Sequence, residues 1–336
     1  QGRSWPLDSS GLQFSADLWV EQAAAFIRDV VKEPAYVAGN SLGGFLGAQL
    51  AAKHPELVKG VVLLNATPFW AFRNPDSPDS ENKKQGSGLI WDGLLPAPSG
   101  YKYVAEKAFD ALRDESNVNR ILGLVYANPE SSAHPNLTRD IIDSAGHPEG
   151  PNAYASIVFS PRAHLPFAKA LARSVEAGVP YLMLYGRDDP WVVPLWGQRA
   201  CLQLELALRQ SRRRAASTSN PPETGSKTET GLPEIQYIEI TPAGHCPHDE
   251  APEAVATVIE DWFREHLEQN KGNMIQADSN KLEINHRIEE KVLDSERVVR
   301  EKDGREISVY PRKGCAPRNV GEWAGTALLR ARLAFA

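Results

Sequence analysis

Residues 36–44, YVAGNSLGG, give the clearest indication of the fold in this 336-residue chain. A short apolar run, residues 35–38, leads into this stretch, and a helical pattern then continues over residues 42–54. The segment therefore predicts a strand, a tight turn and a helix. Gly39-x-Ser41-x-Gly43 is the G-x-S-x-G pattern, in which a sharp turn exposes a serine hydroxyl at the end of a strand.

The same alternation of strand and helix patterns returns along the chain. Apolar runs at residues 60–65, 180–185 and 235–240 follow, and helical patterns occupy residues 16–32 and 252–268. Strands joined by helical crossovers form a parallel sheet. We therefore predict an α/β fold with a mostly parallel sheet flanked by helices.

Two long insertions and a polar tail interrupt or extend this pattern. We expect one domain over residues 1–268, with a helical lid at 66–179 and a disordered surface insertion at 211–232, which is rich in Ser, Thr, Pro and Gly. Residues 269–336 form a polar C-terminal extension with apolar positions spaced for an amphipathic helix. Those positions are Ile284, Ile288, Val292, Val298 and Val299.

Composition excludes several classes of protein. The chain has 37 Lys and Arg against 43 Asp and Glu, a net charge of −6, which disfavours binding to nucleic acid. No apolar run reaches the roughly 20 residues of a spanning helix, so we expect no transmembrane span. The three cysteines are too few for a disulfide scaffold. The histidines lack metal-ligand spacing and no C-x-x-C is present, so we expect no metal and no cofactor.

A serine nucleophile at neutral pH needs a base, and the base needs an orienting carboxylate. With this elbow the chain order is serine, acid, histidine, each beyond the carboxyl end of a strand. Asp188 and Asp189 follow the third apolar run, and His245 follows the fourth. We predict catalytic roles for Ser41, Asp189 and His245, with Asp188 as the alternative acid and His248 as the alternative base.

Backbone N–H groups at the start of the helix after the elbow can stabilise a developing oxyanion. Leu42, the residue after the serine, is the predicted donor. The lid also carries aromatic and apolar residues that would suit a large apolar substrate. These are Phe69, Trp70, Phe72, Trp91, Leu94 and Leu95.

Five stretches carry a resemblance to a known family: residues 14–19, 36–44, 57–72, 185–197 and 242–253. Over residues 1–268 the chain resembles the α/β-hydrolase superfamily. Within it, the chain is similar to the pheophytinases, chloroplast enzymes of plants and green algae. By position in the motifs, the resemblance implies Ser41 as nucleophile, His245 as base and Asp189 as orienting acid.

The resemblance also implies a function. It implies hydrolysis of the phytyl ester of magnesium-free pheophytin to pheophorbide and phytol, in the chloroplast stroma during chlorophyll breakdown. The main partner is then a small-molecule substrate. Any contact with the thylakoid membrane or with other chlorophyll-catabolic enzymes would be peripheral. The alternatives are another esterase of the fold, such as a chlorophyll dephytylase, and a non-catalytic binding protein.

The start of the chain departs from the family pattern. Residues 1–4 resemble the turn after the fourth strand of the family fold. We therefore expect the N-terminal strands, and the oxyanion donor that follows the third of them, to be missing from this chain, as in a fragment of a longer enzyme.

Overall fold

The computed structural model describes residues 11–67, 91–127, 136–161, 163–217, 234–278 and 296–311. Six strands form one sheet in these residues. They are β1 (Ala35–Asn40), β2 (Val58–Leu64), β3 (Tyr181–Gly186), β4 (Ile235–Thr241), β5 (Arg297–Arg300) and β6 (Glu306–Pro311). Their order is β1-β2-β3-β4-β6-β5, and the first four are parallel while β6 runs antiparallel to both neighbours. The predicted mostly parallel sheet is confirmed.

Helices cover both faces of the sheet. They are α1 (Ala16–Phe26), α2 (Leu42–Lys53), α3 (Ser99–Leu112), α4 (Glu115–Val125), α5 (Leu137–Ala145), α6 (Gly150–Phe159), α7 (Phe167–Glu176), α8 (Pro194–Ser217), α9 (Pro247–Glu250) and α10 (Pro252–Asp278). A π-helical turn, Ile27–Val31, continues α1. Within the described ranges, no helix is both long enough and apolar enough to cross a membrane.

The core lies on the two faces of the sheet, and β3 at its centre is buried along its whole length. Its side chains alternate between the faces, as the two-residue period of a strand demands. Tyr181, Met183 and Tyr185 pack in the cluster with α1, α2, α7 and α8, whereas Leu182 and Leu184 pack with α10 and β6. Burial of this apolar surface fixes the strand register and therefore aligns the carboxyl ends of β1 to β4 along one edge.

The described residues between β2 and β3 include five helices, α3 to α7. In this segment α3 packs on α6, and α4 packs on α5. The last helix, α7, packs instead on α2 and α8 and buries Phe167 and Leu171 in the main core. Residues 68–90, which include Phe69, Trp70 and Phe72 of the predicted lid, lie outside the described residues.

The C-terminal extension differs from the sequence prediction. Val298 and Val299 lie in strand β5, so the expectation that they belong to an amphipathic helix is wrong. The apolar residues in these strands alternate with a period of two residues instead of the helical period. Ile307 and Val309 of β6 accordingly point into the same core cluster on which Val299 packs. The strand β6 also pairs with β4, whose edge would otherwise be open. The other predicted helix positions, residues 284–292, lie outside the described residues.

The first residues of the predicted disordered insertion are helical in the structure. Residues 211–217 continue helix α8, and their arginines and alanines are good helix formers. The rest of that predicted insertion, residues 218–232, lies outside the described residues.

Candidate active site

Ser41 occupies the sharp turn between β1 and α2. Its backbone has φ 51° and ψ −115°, a conformation that a non-glycine residue rarely adopts. A side chain at Gly39 would place its Cβ 2.2 Å from the backbone carbon of Gly43, and one at Gly44 would lie 2.6 Å from the Ala66 Cβ. The turn therefore requires glycine at positions 39 and 44, which agrees with the predicted elbow.

Backbone hydrogen bonds hold the elbow against the end of β2. The Ser41 N–H donates to the Leu64 carbonyl at 2.9 Å, and the Thr67 N–H donates to the Ser41 carbonyl at 3.1 Å. Leu42 is the first residue of α2, and first-turn N–H groups have no acceptor within their own helix. A predicted oxyanion donor thus lies directly beside the serine.

Asp189 lies beyond β3 and is buried. Its Oδ1 accepts the backbone N–H groups of Trp191 at 2.7 Å and Val192 at 2.9 Å. Its Oδ2 lies 2.7 Å from the Asn65 Nδ2 and 2.8 Å from the His245 Nδ1. Four contacts on two oxygens fix the carboxylate in one orientation.

His245 lies in the loop after β4, and it too is buried. Its carbonyl accepts the Asn40 Nδ2 at 2.8 Å, so the residue that precedes Ser41 is bonded to the histidine backbone. The Trp191 ring stacks near the imidazole, with ring centroids 6.4 Å apart. In the described part of the chain the imidazole is bonded to Asp189, whereas Ser41 Oγ makes no hydrogen bond with it.

The two adjacent aspartates point in different directions. Asp188 Oδ2 accepts the Thr241 hydroxyl at 2.7 Å and the Ala243 N–H at 3.2 Å. It therefore ties the end of β4 to the loop after β3 and does not contact the imidazole of His245. The structure brings only the second aspartate of the pair to the histidine.

Two neighbours of His245 could also carry chemistry. His248, the alternative base, is exposed in α9. Cys246 is a free cysteine, and burial raises the pKa of its thiol to about 11. The thiol is therefore protonated at neutral pH, and a protonated thiol is a poor nucleophile. No group of three His, Cys, Asp or Glu side chains that could hold a metal occurs among the residues described.

Two asparagines that no sequence motif indicates also hold the site at this edge of the sheet. Asn65 directly follows β2, is buried and has φ 41°. Its Oδ1 accepts the Gly186 N–H at 2.8 Å while its Nδ2 donates to Asp189. Asn40, the last residue of β1, bonds the histidine loop. The signal in the sequence is a polar residue at or directly after the end of a predicted strand, at the edge where ligands bind in parallel sheets.

Comparison with known proteins identifies the family. A model of the alpha/beta hydrolase family matches residues 2–258. The chain belongs to the alpha/beta hydrolase family. This α/β hydrolase is 36% identical over 258 residues to the chloroplastic pheophytinase of Arabidopsis thaliana, an alignment that covers 76% of the chain and 46% of pheophytinase. The chain thus spans about half the length of that relative.

Two further similarities have a shorter alignment or a lower sequence identity. The 2-hydroxymuconate semialdehyde hydrolase of Pseudomonas sp. strain CF600 is 37% identical over 54 residues, which is 16% of this chain and 19% of that enzyme. A solved thermophilic esterase from Thermogutta terrifontis has a TM-score of 0.48 and 17% identity, covering 79% of this chain and 76% of the esterase.

Proposed function

We propose that this α/β hydrolase is a serine carboxylester hydrolase. Ser41 is the nucleophile, His245 the general base, Asp189 the residue that orients the base, and Leu42 an oxyanion donor through its N–H. The observation that carries the proposal is the 2.8 Å contact between His245 Nδ1 and the buried Asp189 carboxylate, at the same sheet edge as the serine elbow.

The chemistry follows from the hydrogen bond that each atom makes. With Nδ1–H donating to Asp189, the other ring nitrogen of His245 carries a lone pair and can take the Ser41 proton. The serine oxygen attacks the ester carbonyl, and the Leu42 N–H stabilises the oxyanion. Collapse of the intermediate releases the alcohol, which takes the proton from His245. Water then attacks the acyl-enzyme, its proton passes to His245 and on to Ser41 Oγ, and the carboxylic acid leaves.

The proposed substrate is the phytyl ester of pheophytin, with pheophorbide and phytol as products. The support is the similarity to the plant pheophytinase, which is 36% identical over 258 residues of this chain. The chloroplast location is proposed on the same ground. Apolar surface beside the base suits a large apolar ester, because Trp191 is 49% exposed and Val193 is 37% exposed. In this proposal the helices α3 to α6 form the lid over the site.

Two measurements test the proposed function. A fluorophosphonate probe should label the chain at Ser41, and Ser41→Ala should abolish the labelling. Pheophytin should be turned over faster than chlorophyll, with phytol detected as the alcohol product. Labelling that persists in Ser41→Ala would refute the nucleophile. Labelling at Ser41 without phytol release would retain the serine hydrolase and remove the pheophytin assignment.

A further inference from the structure

Glu250, at the end of α9, is a buried carboxylate that accepts three backbone N–H groups. Its Oε1 lies 3.0 Å from the Gly244 nitrogen and 3.2 Å from the Cys246 nitrogen, the two residues that flank His245. Its Oε2 lies 2.8 Å from the Ala127 nitrogen, just beyond the end of α4. One side chain therefore bonds both the histidine loop and the helical segment between β2 and β3.

Further contacts join the same two segments. The His245 N–H donates to the carbonyl of Val125, the last residue of α4, at 3.0 Å. The Tyr126 hydroxyl donates to Asp249 Oδ2 at 2.8 Å. The backbones approach so closely that a Cβ at Gly244 would lie 2.8 Å from the Val125 oxygen. The end of α4 and the histidine loop thus form one continuous hydrogen-bonded unit.

We propose that Glu250 is a positioning residue that locks the end of α4 onto the loop of His245, so that the lid and the catalytic base are held as one unit. This inference rests on the proposed function, in which His245 is the base. Without the Glu250 carboxylate, the N–H groups of Gly244, Cys246 and Ala127 lose their acceptor, and the loop can relax away from the geometry that Asp189 requires. A displacement of about 1 Å at such a group can lower the rate by about 10²-fold.

Glu250→Gln is the informative variant because it keeps the size of the side chain. A glutamine amide has one acceptor oxygen and one NH₂ donor, so one of the two sets of N–H groups then faces another donor. Glu301→Gln is the matched control. Glu301 is also a buried glutamate, and its two oxygens accept the N–H groups of Glu253 and Ala254 at 3.0 Å. That pair lies at the start of α10, so the control removes the same chemistry away from the histidine loop.

The experiment compares wild type, Glu250→Gln and Glu301→Gln with a small soluble ester, p-nitrophenyl butyrate. We expect Glu250→Gln to lower kcat by about 10- to 100-fold with KM changed by less than about twofold, because positioning of the base acts on the chemical step. The rate of fluorophosphonate labelling at Ser41 should fall in parallel. Glu301→Gln should keep wild-type kcat, and exchange of the Ala127 amide proton should accelerate only in Glu250→Gln.

Tyr126→Phe provides a second, milder variant that removes one hydroxyl contact of the same unit. It should lower kcat by about two- to tenfold, as expected for one hydrogen bond. Should Glu250→Gln fail to fold, an unchanged kcat in Tyr126→Phe would overturn the proposal. Equal kcat in Glu250→Gln and Glu301→Gln, with an active wild type, would also overturn it while leaving the proposed function intact. A wild-type chain that neither labels at Ser41 nor hydrolyses the ester would instead remove the proposed function and this proposal with it.

Discussion

Replacing Asp189 by asparagine tests the proposed catalytic site most directly. One carboxylate oxygen accepts the backbone N–H groups of Trp191 and Val192. The other lies 2.7 Å from the Asn65 amide nitrogen and 2.8 Å from His245 Nδ1. In Asp189→Asn the amide oxygen stays with the two backbone donors, so the NH₂ group takes the place of Oδ2. It then faces the Asn65 donor and the imidazole.

The imidazole must respond by changing tautomer. His245 Nδ1 becomes an acceptor for the new NH₂ group, the ring proton moves to Nε2, and Nε2 can no longer take the proton of Ser41. We expect kcat to fall by about 10³- to 10⁴-fold, which is the cost of the wrong tautomer in a Ser-His-Asp site. At about 1.36 kcal/mol for each tenfold change, the loss is about 4 to 5.5 kcal/mol of transition-state stabilisation. KM should change little, because the Asp189 carboxylate is buried away from the surface that a substrate can reach.

The adjacent aspartate supplies the control. Asp188→Asn makes the same chemical change one residue earlier, where the carboxylate accepts from Thr241 and Ala243. That variant should lose less than about tenfold in kcat and about 0.5 to 1.5 kcal/mol in stability, because Asp188 is exposed. The assay is hydrolysis of p-nitrophenyl butyrate by both variants, with urea unfolding as the measure of folding. Retention of kcat within about tenfold in Asp189→Asn, or a larger loss in Asp188→Asn, would refute the assignment of the acid.

Three further predictions concern the elbow, the substrate and acid stability. Gly39→Ala should lower the free energy of unfolding by about 3 kcal/mol or more in urea, because the new Cβ meets backbone atoms. Gly43→Ala should leave it unchanged, since a Cβ at Gly43 has no atom within 4 Å. Equal losses of stability in the two variants would contradict the steric argument. Trp191→Ala should raise KM for pheophytin by about 2- to 13-fold, the value of one aromatic contact, and leave KM for p-nitrophenyl butyrate unchanged. A change in KM for p-nitrophenyl butyrate alone would contradict a role of Trp191 in binding the large ester. Hydrogen bonds from His54 and then from a neighbouring lysine lower the pKa of Glu21 from 4.5 to about 2. The stability that this carboxylate contributes is therefore present above pH 4.5 and lost as the pH falls towards 2. Glu21→Gln should make the free energy of unfolding less dependent on pH between pH 4.5 and 2. If the pH dependence in this range is unchanged, the hydrogen bonds of Glu21 contribute nothing to stability.

Much of the architecture could be predicted because it depends on local pattern. Apolar runs bounded by glycine and proline indicated the four parallel strands, and the Gly39-x-Ser41-x-Gly43 spacing indicated the elbow. The C-terminal strands could not be predicted in the same way. Val298 and Val299 fit a helical spacing as well as a strand, and pairing with the distant strand β4 through β6 selects the strand.

The order of strand patterns along the chain indicates which residues reach one edge of the sheet, since parallel strands end together and Ser41, Asp189 and His245 each follow a strand. Which side chains meet at that edge depends on how the elements pack in the folded chain. Asp188 and Asp189 have the same chemistry and adjacent positions, and only the second contacts the imidazole, 56 residues further along the chain. The contacts of Asn65 with Asp189 and of Glu250 with the histidine loop likewise follow from packing of separate elements. A hydrogen bond depends on fractions of an ångström between atoms from separate elements, and that precision comes from packing of the whole core.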